Sequence, residues 1–276
     1  MARIKDSAIC IRHLDWSETS QIVVLLTEQH GMLRGLAKGS KRTSPSAIER
    51  FSGGIELLTQ GEIIAKSKAS EGLAILTEWN LENDYYPFRR KLQLQRFAMF
   101  GADVAGALVA DHDPHPKSYR ALSSYLDALT RTIKHNKIDN VYLAAATLIF
   151  QWLMLDDAGY RPSLITDAQS GEILPDNKTY IFDPIAGGLT ESPTPGREDW
   201  KVRKKTVQML RLLDEMTEHS YQDKTSETEK TDKEFQEIHE VISGMDMDSL
   251  TRGNKLLCAY LRALLDKELP TMQWVL

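Results

Sequence analysis

Four basic side chains fall within nine residues of this chain: Arg34, Lys38, Lys41 and Arg42. Arg50 follows shortly after. Residues 31–50 carry five cations against one acid, Glu49, a local balance of +4. Gathered on a loop, such side chains suit a sugar–phosphate backbone better than a buried small molecule, because each can neutralise a phosphate and release a counterion. A second cluster, Asp111-His112-Asp113-Pro114-His115, offers the carboxylates and imidazoles that several metals accept. Two prolines constrain it and no partner ligand stands out elsewhere, so the expectation is a polar loop between helices. The chain has no G-x-S-x-G elbow, P-loop, H-E-x-x-H pair or paired Cys/His signature. Gly187-Gly188 lacks a following Lys-Ser/Thr and reads as a turn. The expected class is a binding protein without catalytic residues, metal or cofactor.

The formal net charge of −5 looks unfavourable for a nucleic-acid ligand, but the charges are sorted along the chain. Residues 214–248 hold 12 acids and 3 lysines, a balance of −9, which leaves +4 for the remainder. Two further basic runs, Arg89-Arg90-Lys91 and Arg203-Lys204, read first as solvated helix faces and second as additional DNA contacts. The cysteines Cys10 and Cys258 make no disulfide framework and fit a reducing compartment. No apolar run reaches the ~18 residues that span a bilayer, and the amino terminus lacks the apolar stretch of a leader peptide. A cytoplasmic, nucleoid-associated protein is expected.

The elements that must present the cationic loop come first in the chain. Short β-rich runs at 7–13, 21–27, 32–38, 55–60 and 62–67 alternate with polar or glycine-containing turns, including Gly31 and Gly61. Residues 45–50 could add a helical turn. Five strands in about 70 residues suggest a closed Greek-key barrel of the OB type. Trp16 precedes the first turn. Its expected role is to anchor that turn by packing, with base stacking as the lesser reading.

Beyond Tyr86 the apolar period changes from 2 to 3.6. Helices are expected from Pro87 to about Val109, at 116–135, at 139–158, from about 198 to 219, and from about 249 to 269. The helix at 139–158 is apolar almost all round and should be the buried centre of a bundle. Residues 160–197 are rich in proline and glycine around one strand-like run, Thr179–Phe182, and read as a hairpin-bearing insertion. Residues 222–233 hold no large apolar side chain and read as a disordered acidic loop. The fold class is α+β and multidomain: a five-stranded OB-fold DNA-binding domain over 1–82, then an all-α bundle over 83–276.

These residues also carry a family resemblance. Trp16-Ser17-Glu18-Thr19-Ser20 and Ala37-Lys38-Gly39 with Lys41 resemble the W-S-E-x-S and A-K-G-x-[RK] signatures of the RecO family. Phe150-Gln151, Leu155 and Gly159-Tyr160 are similar to its F-E-x-x-L-L-x-x-x-G-Y helix end. Ala186-Gly187-Gly188-Leu189 and the stretch from Tyr260-Leu261 to Leu276 match in order. The resemblance implies a recombination mediator that binds and anneals single- and double-stranded DNA. With RecR it would help load RecA onto DNA coated by single-strand-binding protein. Many members carry C-x-x-C-G and a second C-x-x-C in the insertion. Here those positions are Asp167, Ser170, Thr190 and Pro193, so no structural zinc is expected and the hairpin must hold by packing. Members also often carry basic residues just before the helix-end phenylalanine, where an acidic partner tail could pair. This chain has Leu148 and Ile149 there, so that docking site is in doubt. The competing readings are a protein-interaction scaffold with minor DNA contact, and a metal-dependent nuclease built on Asp111, His112, Asp113 and the acidic segment 214–248.

Overall fold

The computed structural model describes residues 2–67, 72–134, 137–192, 200–220 and 227–276. They form two compact units, residues 1–130 and 131–276. The first contains β1 (Ala2–Ser17), β2 (Ser20–Thr27), β3 (Gly31–Ala37), α1 (Pro45–Phe51), β4 (Gln60–Ser67), β5 (Ala74–Asn83), α2 (Pro87–Arg90), α3 (Leu92–Leu108) and α4 (Pro116–Arg131). The strands close into a barrel in the order β1-β2-β3-β5-β4. All pairings are antiparallel except β3 with β5, which is parallel over Gly35–Ala74, Leu36–Ile75 and Ala37–Leu76. This is the expected five-stranded OB-like barrel. Alternate residues fill it, among them Ala8, Cys10, Val23, Leu25, Leu33, Ile63 and Trp79. Burial pushes the Cys10 thiol up to about 12, so it acts as a small apolar filler.

Two strand assignments differ from expectation. Residues 55–60 form no strand before Gln60. Ile55 packs into the barrel core instead, and Leu58 is buried at φ 61°. The Leu58 and Thr59 backbones bond across to Cys10 at 2.7 and 2.9 Å, where a bulge interrupts the β1–β2 register. The fourth strand is β4, and the fifth is β5, where Ala74 and Leu76 are buried on either side of exposed Ile75 and a register shift between Leu76 and Glu78 then turns Trp79 inward. Gly61 is no turn: it lies inside β4, where a Cβ would stand 2.3 Å from the Asn80 carbonyl oxygen. The helix expected from Pro87 breaks at Lys91, which is extended. The first unit also runs past residue 82. Tyr85 donates to Gln60 at 2.8 Å, Gln60 donates to Tyr119 at 3.1 Å, and Arg120 pairs with Glu28 at 3.1 Å. The break expected there marks the end of the sheet rather than of the unit.

The second unit contains β6 (Ile133–Lys134), β7 (Lys137–Ile138), α5 (Asn140–Asp157), β8 (Thr179–Asp183), β9 (Gly188–Thr190), β10 (Trp200–Arg203), α6 (Lys204–Ser220), α7 (Glu227–Ile242) and α8 (Met247–Leu265). Asp139 caps α5 by accepting from the Tyr142 N–H at 3.1 Å. The helix is central, with Leu148, Ile149 and Phe150 fully buried. Gln151 of the F-Q motif is buried too; it donates to Asn254 at 2.7 Å and accepts from Cys258 at 3.2 Å. This motif is core architecture, and positions 148 and 149 face no solvent from which a partner tail could approach. The helix expected from 198 begins only at Lys204, because Trp200–Arg203 joins the insertion sheet in the order β10-β8-β9. Residues 222–226 of the expected acidic loop lie outside the described residues. Residues 227–233 are helical, because Phe235, Ile238 and Ile242 at i, i+3 and i+7 give α7 a buried face.

The insertion holds together through Asp167. One carboxylate oxygen accepts from the Gln169 and Ser170 N–H groups at 2.8 and 2.9 Å. The other accepts from the Thr190 hydroxyl at 2.9 Å and the Glu191 N–H at 2.7 Å. Those donors hold the buried carboxyl far below the usual carboxylate range. Asp167→Ala should cost about 2–4 kcal/mol in urea unfolding, because four donors lose a charged acceptor. A folded-state pKa held low stabilises the fold above the unfolded value of about 3.9 and loses that contribution as pH falls below it. The variant's unfolding free energy should therefore fall less steeply than the parent's between neutral pH and acid.

Candidate nucleic-acid interface

β1 and β2 form a hairpin closed by the Ser17–Ser20 pair. The cationic turn leaves β3 on the same side, and the hairpin holds it by four contacts. The Lys41 N–H donates to the Thr19 carbonyl at 3.1 Å. The Gly39 N–H donates to the Ser20 hydroxyl at 3.1 Å. The Ser40 hydroxyl donates to the Gln21 side-chain oxygen at 2.9 Å, and Lys41 Nζ meets Asp15 at 2.7 Å. Gln21 also grips both backbone groups of Ile55, each at 3.1 Å. Ser20, Gln21 and Ser40 are buried. Gly39 supplies the left-handed residue of the turn at φ 75°, and the Ser40 N–H closes it onto the Ala37 carbonyl. The two sequence signatures around Trp16 and Lys38 are thus the two halves of one hydrogen-bonded clamp.

The clamp sorts the five expected contact residues. Lys38, Lys41 and Arg42 are exposed together on the turn, and the Arg42 side chain lies along Gly39. Lys41 holds the Asp15 carboxyl below its usual range through a direct hydrogen bond. Lys38 and Arg42 have no acidic partner among the described residues. Arg50 is on α1, its Nε donating to the Ser46 carbonyl at 3.3 Å and its guanidinium 5.5 Å from the centre of the Phe51 ring. Arg34 does not join them. It lies four residues before Lys38, roughly 13 Å along a strand, and is drawn to Asp111 by two contacts at 3.0 and 3.3 Å.

Asp111 belongs to the candidate metal loop, and the structure uses that loop as wall. Met32 and Asp111 form a parallel bridge, the His112 N–H donates to the Met32 carbonyl at 3.0 Å, and Asp113 faces His115 at 3.3 Å. Among the described residues no three metal-ligating side chains converge. Trp16 departs from expectation in the other direction. It is 65% exposed rather than packed against the turn, beside Leu14 at 64%. Phe51, in contrast, is buried.

The additional basic runs are largely tied down. Arg89 pairs with Glu56 and Asp84, Arg90 donates to the Tyr86 hydroxyl at 3.1 Å, and Lys204 pairs with Asp176. Arg203 shares Asp248 with Arg252 at 3.4 and 2.8 Å. Arg203 also rims a pocket of about 300 Å³ with Lys201, Arg252, Lys255 and Arg262, floored by Trp200 and Leu256. The three α8 cations escaped the reading by sequence. The signal was there, as Arg252, Lys255 and Arg262 recur at helical spacing opposite the buried Leu250, Leu257 and Leu261. Among the described residues no helix is long and apolar enough to cross a membrane.

Residues 1–85 match the family described as "Recombination protein O N terminal", and residues 91–240 match "Recombination protein O C terminal". The chain is similar to the DNA repair protein RecO of Geobacter metallireducens, 31% identical over 179 residues, which are 63% of this chain and 66% of that protein. It is similar to the DNA repair protein RecO of Anaeromyxobacter sp. (strain K), 26% identical over 196 residues, 71% of this chain and 72% of the relative. The protein of that name from Rhodopirellula baltica is 36% identical over 108 residues, 39% of this chain and 38% of its own. The match thus spans just under two thirds of the Geobacter protein's length.

Gln21→Ala removes three buried hydrogen bonds and should lower unfolding stability by about 2–3 kcal/mol. The loss should appear locally as faster amide exchange at Gly39 and Lys41, read by hydrogen–deuterium exchange. Unchanged exchange there would show that the clamp does not hold the turn.

Proposed function

We propose, from the fact that this chain belongs to the RecO family, that it is a non-enzymatic DNA-binding protein of recombinational repair. One observation carries the reading: a turn bearing Lys38, Lys41 and Arg42 is clamped outward on a closed barrel, with Lys38 and Arg42 unclaimed by any described acid. The barrel, residues 1–82, is the DNA-binding domain. Lys38, Lys41, Arg42 and Arg50 meet phosphates. Lys41 exchanges Asp15 for a phosphate, and exposed ion pairs hold too little net free energy to oppose that exchange. Arg34 contributes only when it releases Asp111. Arg89, Arg90, Lys91, Arg203 and Lys204 are secondary contacts.

The family resemblance supports the wider role. The protein binds single and double strands and anneals complementary ones, since cations that shield two strands lower their mutual repulsion. With RecR it helps load RecA onto DNA covered by single-strand-binding protein. It works in the cytoplasm, at the nucleoid, and needs no metal or cofactor.

Four phosphate contacts give a log K against log salt slope of about −3 to −4. Lys38→Glu with Arg42→Glu should weaken DNA binding at least tenfold and flatten the slope by about 2. Fluorescence anisotropy across salt concentrations measures both, and a chelator should change neither. Affinity and slope equal to the parent's in the double variant would overturn the reading.

A further inference from the structure

The cationic turn explains affinity for phosphates but no preference between one strand and two. The hairpin beside it adds a different kind of group. Along β1 and β2 the register runs Asp15 opposite Gln21 and then Ser17 opposite Ser20, so Trp16 is the extra residue of a β-bulge. A bulge leaves its residue unpaired and re-aims the side chain. The indole here is 65% exposed, and Leu14, two residues back, is 64% exposed. Single exposed apolar side chains are common, but Leu14 and Trp16 stand two residues apart on one strand and together form a small apolar patch beside the cationic turn.

Asp15, next to Trp16, is neutralised by Lys41 at 2.7 Å, and the Lys41 backbone is bonded to Thr19 across the hairpin tip. A polyanion held by Lys38, Lys41 and Arg42 at this hairpin tip would therefore lie within a residue or two, along β1, of an indole that is 65% exposed among the described residues. Bases of a single strand present a π-face and can stack there, whereas bases of a duplex are already stacked on each other. We infer that Trp16, supported by Leu14, is the residue that makes this end of the barrel prefer single strands, by stacking one base while the turn holds the neighbouring phosphates. The inference rests on the DNA-binding reading above.

The test uses the full chain with a labelled oligothymidine and a duplex of equal length. Trp16→Ala should weaken oligothymidine binding at least about fivefold, the low end of one stacked base. Duplex affinity should stay within twofold, the salt slope should not change, and Trp16→Phe should restore most of the loss. Circular dichroism and the melting temperature check that the exposed site tolerates the change. An unaltered ratio of the two affinities in Trp16→Ala, whether both hold or both fall, overturns the role of Trp16, and an exposed patch for a protein partner then takes its place. The Lys38→Glu, Arg42→Glu variant separates the two failures. If it also binds both DNAs as the parent does, the DNA-binding reading itself falls.

Discussion

A single buried amide, that of Gln21, joins three parts of the first unit. Its oxygen accepts from Ser40 and from the Ile55 backbone, and its nitrogen donates back to Ile55. The start of β2, the cationic turn after β3 and the segment before β4 therefore share one side chain. A turn with three cations would ordinarily spread to reduce self-repulsion. Here three of its four holding contacts are neutral hydrogen bonds, which depend little on salt, and only Lys41 spends its charged tip, on Asp15. The clamp largely separates the energetics of folding from those of binding: amides and hydroxyls supply most of the hold on the turn, and the tips of Lys38 and Arg42 remain for the ligand.

The contrast between Arg34 and Arg42 shows how much position matters among like charges. Both are exposed arginines eight residues apart. Arg34 leans toward a carboxylate brought up by the Met32–Asp111 bridge, while Arg42 leans on a glycine. The same comparison governs the helices, where Arg89 and Lys204 are spent on acids across from them. Composition counts these residues alike. Only the partners that the fold supplies decide which cations keep a full charge for a phosphate.

Much of the barrel was legible in the sequence because its strands alternate and its turns carry glycine. The errors had local causes. Ile55–Leu58 has strand composition, yet Ile55 and Leu58 are buried without forming a strand, and short apolar runs do not reveal their conformation. Ala74–Asn83 alternates only over its first residues, before a register shift at Thr77, and the glycine signal at Gly61 marks close approach to Asn80 rather than a turn. The helix over 227–242 hid because its first two turns are polar, and three apolar residues in its second half decide it. At the site, the basic residues were visible as a run. The clamp was not, because it depends on Gln21 meeting Ser40 and Ile55, and no local pattern announces a contact across 34 residues. Trp16 was misjudged for the same reason: a bulge is a property of pairing, and pairing is absent from a single strand's sequence.

The insertion shows how one polar group can take over a cross-link that the family resemblance leads one to expect from a metal. A tetrahedral ion gathers four anionic or lone-pair donors. A carboxylate inverts the requirement, because it only accepts and its partners must be N–H or O–H groups. Asp167 meets that requirement with two N–H groups of its own turn and, across the knuckle, the Thr190 hydroxyl and Glu191 N–H. A threonine at 190 helps where a cysteine would not, since a thiol is a weak donor, and Ser170 contributes its backbone rather than its side chain. The cohesion of this knuckle rests on the charge of one carboxylate.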